Sequence, residues 1–207
     1  MPRSGGRGAA RGRPHRRRGH VVRAGSERTP APAANLDTHI CEALDLPATR
    51  DEPAVLVGHS YAGSVISGVA DRRLAQVSAL VYLDAFVPAD GDSCWSMTND
   101  WRRQWYGEDS GATGLEVAPL PFFDQRARPH PLGTLMQRSK LTGAWKGVQR
   151  KHYVVAAAAD WLAQSPFVDI AARLRRDPDW TVTDLDPGHN FLAHGPDQLL
   201  RVLLAAA

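Results

Sequence analysis

Ser60 stands in Gly58-His59-Ser60-Tyr61-Ala62-Gly63, after the apolar run Val55-Leu56-Val57 and before a segment carrying Val65, Ile66, Val69 and Ala70. A serine hydroxyl is a poor nucleophile at its own pKa and needs a base within hydrogen-bond reach. His189, flanked by Gly188 in Asp186-Pro187-Gly188-His189-Asn190, is of the type and on the kind of loop to be that base. The chemistry these two residues support is nucleophilic catalysis by an activated serine. His59 belongs to the same turn as Ser60, and a neighbour in sequence points the other way, so it is not expected to be the base. His15, His20, His39, His130, His152 and His194 read as surface residues.

Those side chains require particular elements beneath them. Val55 to Val57 read as a strand, the small-x-Ser-x-small segment as a tight turn, and the residues from Ser64 as a helix. A serine at the apex of such a turn holds a strained backbone, tolerable where the residues two before and two after are small, as Gly58 and Ala62 are. The strict pattern with glycine at both positions is missed by one methyl group, and Gly63 follows to let the helix pack close. A helix is expected from Asn35 or Asp37 through Leu46, ended by Pro47. Val77 to Pro88 is nearly continuously apolar, as in a strand covered on both faces. Strand, helix, strand implies a parallel pair with a right-handed crossover. Further strands are expected at His152–Ala157 and Trp180–Leu185, with a helix from about Pro166 to Arg176 and a closing helix bearing Leu199 to Leu204. Ser60 and His189 then both lie at carboxyl ends of parallel strands, where α/β sheets place their sites.

Between residues 89 and 150 the pattern loosens, with Trp95, Trp101, Trp105 and Trp145 joined by Tyr106, Phe122 and Phe123. So many large aromatic residues in irregular sequence predict a lid over an apolar pocket, with His59, Trp95, Trp101 and Trp105 as pocket residues. Anchoring of a long insertion to the core explains the same residues equally well.

The 207 residues suggest one domain, and 43% hydrophobic content suffices for a core. The net charge of +3 is misleading, because residues 1–28 carry nine arginines and Glu27. That segment holds +8 and leaves −5 on the remainder. Residues 1–35, rich in Arg, Gly, Pro and Ala, read as a disordered tail. Without interleaved aromatic residues for base stacking, the tail is read as solvated and not as a nucleic-acid arm. Cys41 and Cys94 lack metal-ligand spacing, which points to a reduced, cytoplasmic protein without a metal site. No apolar run approaches the length of a membrane span, and no secretion signal is expected.

Leu56 to Gly63, Leu80-Val81-Tyr82-Leu83-Asp84-Ala85-Phe86-Val87-Pro88 and Asp186-Pro187-Gly188-His189 together resemble the α/β-hydrolase superfamily, in its small esterase and hydroxynitrile-lyase-like branch. The resemblance covers about residues 36–207. It implies an α/β fold, a parallel sheet flanked by helices with an aromatic lid at 89–150, and no cofactor. It implies Ser60 as nucleophile, His189 as general base and then acid, and the Tyr61 backbone N–H as an oxyanion donor. The triad acid is Asp84 or Asp160. Asp84 is preferred because its apolar frame leaves a carboxylate little to do except hold an imidazole, whereas Asp160 follows four alanines and also reads as a helix cap. The partner implied is a small apolar ester, hydrolysed through an acyl-enzyme. Hydroxynitrile-lyase-like use of the triad and a degenerate, non-catalytic homologue are the other readings. The front departs from the family: residues 1–54 show no strands of the expected kind and no His-Gly oxyanion loop. An incomplete sheet edge that invites self-association, and a rate lowered by roughly a hundredfold or more, are the expected consequences.

Overall fold

The computed structural model describes residues 34–48, 52–111, 113–121, 123 and 125–206. Nearly all of the tail expected at 1–35, and most of the front at 1–54 expected to lack an oxyanion loop, therefore lie outside the described residues. In chain order come α1 (Leu36–Ala48), β1 (Ala54–His59), α2 (Ala62–Arg72), β2 (Val77–Leu83), α3 (Cys94–Met97) and α4 (Asp100–Glu108). They are followed by β3 (Glu116–Val117), β4 (His130–Pro131), α5 (Leu132–Met136), β5 (Arg150–Ala156), α6 (Ala159–Leu162) and α7 (Val168–Leu174). The last elements are β6 (Trp180–Leu185), α8 (Phe191–His194) and α9 (Pro196–Ala206).

Four parallel strands form the main sheet in the order β1-β2-β5-β6, as the strand, helix, strand pattern implied. The middle strands are the most apolar, and Leu80, Val81, Tyr82, Tyr153 and Val154 are fully buried between helical layers. β1 pairs with β2 alone among the described residues, and its Val57 stays exposed. The described sheet is thus short on the β1 side, in keeping with the front edge read as incomplete.

Asn35 caps α1, its Oδ1 accepting the Thr38 N–H at 2.9 Å, and the helix extends one residue past Pro47, the expected stop. Leu36, Ile40 and Ala43 of α1 meet Val65 and Val69 of α2 in a small satellite core. The long apolar run breaks earlier than expected. β2 ends at Leu83 because Asp84 turns to φ 43, a left-handed conformation that leaves the strand direction.

Residues 89–150 are more regular than their composition suggests. They hold α3, α4, α5 and the short antiparallel pair β3–β4. Trp145 is not part of a cover over a pocket: it is buried in the main core, 6.3 Å from the Trp180 ring.

Candidate active site

Ser60 follows β1 with φ 54, the strained apex expected of the turn. Its N–H donates to the Leu83 carbonyl (3.1 Å), and its own carbonyl accepts from Gly63 (3.2 Å) and Phe86 (3.2 Å). The turn is therefore tied to both the following helix and the segment after β2. Small neighbours are required in a literal sense, since a Cβ on Gly58 would lie 2.7 Å from the Ala62 carbonyl oxygen.

Asp84 ends the adjacent strand. Its N–H donates to the Val154 carbonyl (2.7 Å), and the Tyr153 hydroxyl donates to the Ala85 carbonyl (2.9 Å), so β5 fixes the kink from below. The carboxylate is 1% exposed. Its Oδ2 accepts from His189 Nδ1 at 2.7 Å and from Trp161 Nε1 at 2.7 Å, while Oδ1 accepts from the Ala156 N–H at 3.4 Å. Three donors converge on one carboxylate. Asp160, the other candidate acid, is exposed in the first turn of α6 and accepts from the Trp161 N–H. The structure brings Asp84 to the imidazole and leaves Asp160 at the surface.

The His189 ring is held on several sides. Trp161 stacks on it at 4.5 Å and 19°, Phe167 at 5.6 Å and 20°, and His59 approaches at 4.4 Å. His59 Nε2 donates to the His189 carbonyl at 2.8 Å, so the neighbour of Ser60 anchors the loop that carries the base candidate. Sequence reasoning passed over Trp161, although it adjoins Asp160. Nothing in a tryptophan two residues past an alanine run signals a bond to a carboxylate 77 positions away.

Two histidines read as surface residues are not. His39 of α1 is buried with Nδ1 3.0 Å from the Tyr61 hydroxyl, and His130 packs its ring 4.7 Å from the Tyr61 ring. The Thr134 hydroxyl donates to the Pro131 carbonyl (2.7 Å) and so accepts from His130 Nε2–H (2.6 Å). Tyr61, the residue after Ser60, is thereby wedged between α1 and the 89–150 insertion. A polar ring on a helix otherwise apolar at Leu36, Ile40 and Ala43 was the available signal for His39.

Of the expected pocket residues, Trp101 and Trp105 line a cleft of about 340 Å³ with Pro119, Leu120 and Pro121. Trp101 is 44% exposed there, and Trp95 packs 6.2 Å from Tyr106 beneath it.

Burial governs the ionisation of the site. It raises the Asp84 carboxyl and lowers the His189 imidazole, each because charge is costly away from water. Burial, and then the neighbouring His189, lowers His59 to about 3; burial, and then His39, lowers His130 to about 4. An unfolded histidine titrates near 6.5, so between these values the unfolded chain binds more protons. His59 and His130 thus contribute stability that is present above about pH 6.5 and lost as the pH falls toward 4. The shifts of Asp84 and His189 have opposite signs in this balance and largely offset. Urea unfolding should give about 5 kcal/mol less stability at pH 4.5 than at pH 7, and an unchanged midpoint would mean that both imidazoles reach water.

The order of elements, the kinked serine between β1 and α2 and the late histidine after β6 have a match among known proteins. The model of the alpha/beta hydrolase family matches residues 6–202. The chain belongs to the α/β-hydrolase family. It is 32% identical over 193 residues to the carbendazim hydrolyzing esterase of Nocardioides sp., covering 82% of this chain and 78% of that protein. It is 26% identical over 193 residues to the putative chloroplastic methylesterase 12 of Arabidopsis thaliana, covering 79% of this chain and 54% of that protein. An extracellular α/β-hydrolase from a Paenibacillus species shares the fold at a TM-score of 0.71 with 17% identity, over 88% of this chain and 83% of that one. An Arabidopsis methylesterase does so at 0.65 with 18% identity, over 88% and 82%. As an α/β-hydrolase, the chain is a hydrolytic enzyme by family. Among the described residues no helix is long and apolar enough to cross a membrane, and no group of three or more His, Cys, Asp or Glu could hold a metal ion.

Proposed function

We propose that this α/β-hydrolase is a serine carboxylesterase that cleaves small esters through an acyl-enzyme, with Ser60, His189 and Asp84 as its triad. The observation that carries the reading is the buried 2.7 Å bond from His189 Nδ1 to Asp84 Oδ2. A carboxylate already accepting from Trp161 holds the imidazole in the Nδ1–H tautomer and leaves Nε2 basic. The lowered His189 pKa keeps that ring neutral at pH 7, and the ion pair it forms with Asp84 on taking the Ser60 proton offsets its weakened basicity.

In the mechanism, Ser60 Oγ attacks the ester carbonyl carbon as His189 Nε2 takes its proton. The Tyr61 backbone N–H, at the start of α2, donates to the developing oxyanion. Collapse of the tetrahedral intermediate breaks the C–O bond to the alcohol, which leaves with the proton from His189. Water, deprotonated by the same nitrogen, then attacks the acyl carbon and returns Ser60 with the free acid. His59 positions the His189 loop, and Trp101 and Trp105 form an apolar wall for the substrate. The relatives named a carbendazim hydrolyzing esterase and a putative methylesterase support an esterase, and the second a small alcohol leaving group, here.

The experiment is labelling of the purified protein with a fluorophosphonate probe and mass mapping of the adduct. An adduct on Ser60, together with hydrolysis of p-nitrophenyl butyrate, is the expected result. A protein folded by circular dichroism that takes no label would overturn the esterase reading.

A further inference from the structure

Arg102 is a group that this mechanism leaves unused. It lies on the buried side of α4 with Tyr106 and is only 5% exposed. Its guanidinium carbon sits 5.2 Å from the Trp101 ring centre, 5.2 Å from Trp105 and 5.5 Å from Trp161. Aromatic faces offset part of the cost of burying the cation. They satisfy none of its N–H groups.

Nε and Nη2 are both buried and meet no hydrogen-bond acceptor among the described residues. Asp84 is close enough to be felt electrostatically, but its oxygens are taken by His189, Trp161 and Ala156. A buried cationic donor without an acceptor is costly and rare, and it calls for a ligand. The geometry of the orphaned pair narrows the choice. In a guanidinium, Nε–H and Nη2–H lie on one edge and point the same way, at the spacing of the two oxygens of a carboxylate. A lysine would offer a point charge; this edge offers a fork.

The position adds the second constraint. Trp161 lies against both the guanidinium and His189, and Trp101 and Trp105, on which the guanidinium also packs, line the cleft, so Arg102 shares aromatic neighbours with both the cleft and the imidazole. We infer that the Nε/Nη2 edge of Arg102 binds a carboxylate carried by the acid half of the substrate, making the enzyme selective for half-esters of short dicarboxylic acids. This rests on the esterase reading and deepens it.

Two measurements on the full-length protein test it. The first compares kcat/KM for mono-p-nitrophenyl glutarate and p-nitrophenyl butyrate. The wild type should favour the anionic ester by about tenfold or more, through KM, the worth of one charge-assisted bidentate contact. Arg102→Met should collapse that ratio, and Arg102→Lys, which keeps the charge and loses the fork, should fall between. A ratio unmoved by Arg102→Met overturns the assignment, as does a wild type that prefers the neutral ester. The second is a glutarate titration read by tryptophan fluorescence, which needs no turnover. Saturable quenching in the wild type that is absent in Arg102→Met supports the fork even if no ester is cleaved and no serine is labelled. A flat titration overturns it whatever the esterase result.

Discussion

Asp84→Asn lowers kcat/KM for p-nitrophenyl butyrate by about 10³–10⁴-fold while leaving the protein folded. Asparagine has the shape of aspartate and tolerates φ 43, so neither sterics nor backbone conformation opposes the change. What changes is the donor count. Oδ2 accepts from His189 Nδ1 and Trp161 Nε1, and Oδ1 from the Ala156 N–H. An amide must place its NH₂ toward one of these groups of donors. With NH₂ at the Oδ2 position, His189 can answer only as the Nε2–H tautomer, which removes the lone pair that Ser60 needs. With NH₂ at the Oδ1 position, a donor meets the Ala156 N–H and the site shifts to escape it. Steady-state kinetics beside circular dichroism check the result, with Asp160→Asn as the comparison because its carboxylate is exposed. If Asp84→Asn stays within tenfold of wild type, Asp84 is not the orienting acid.

Gly63→Ala destabilises the fold by about 3 kcal/mol or more. On helix propensity alone the substitution gains about 1 kcal/mol, since Gly63 sits in the first turn of α2. The packing term wins. A Cβ there would lie 2.2 Å from the Phe86 carbonyl oxygen and 2.9 Å from Ala85 Cβ, and one of these is backbone. That segment cannot retreat freely, because the Phe86 N–H donates to Ser60 and the Tyr153 hydroxyl holds Ala85. Chemical denaturation should therefore give opposite signs at two helical glycines. Gly107→Ala in α4, where nothing lies within 4 Å, should be neutral or stabilising by up to about 1 kcal/mol. Equal effects at both would mean that the chain after β2 moves aside.

The parts of this architecture legible in the sequence are those whose constraints are local. The turn at Ser60 announces itself because its own neighbours must be small, and β2 because a strand buried on both faces has to be apolar along its length. Asp84 was legible for the same reason, as a carboxylate with apolar residues before and after it. Gly63 was expected to admit the strand; it admits the segment after the next strand instead, a contact 23 residues away that no local pattern encodes. α4 was missed because only Arg102 and Tyr106 turn inward, and a buried arginine erases the apolar stripe by which an amphipathic helix is recognised. His39, His130 and Trp161 depend on partners brought in by other elements. Polar side chains carry no mark of burial in their own sequence context.

The neighbouring strands β1 and β2 each give way to a non-glycine residue in the left-handed region, Ser60 at φ 54 and Asp84 at φ 43. Each conformation costs of order 1–3 kcal/mol, and glycine would relax either. At Asp84 that gain is outweighed, because glycine would leave the His189, Trp161 and Ala156 N–H groups without their buried acceptor, so heat tolerance is more easily gained at Ser60, the proposed nucleophile. Selection of variants by melting temperature alone would drift toward glycine at position 60 and deliver a sturdier, inert protein. Any programme of thermostabilisation should hold residues 60 and 84 fixed and seek its gains at positions such as Gly107.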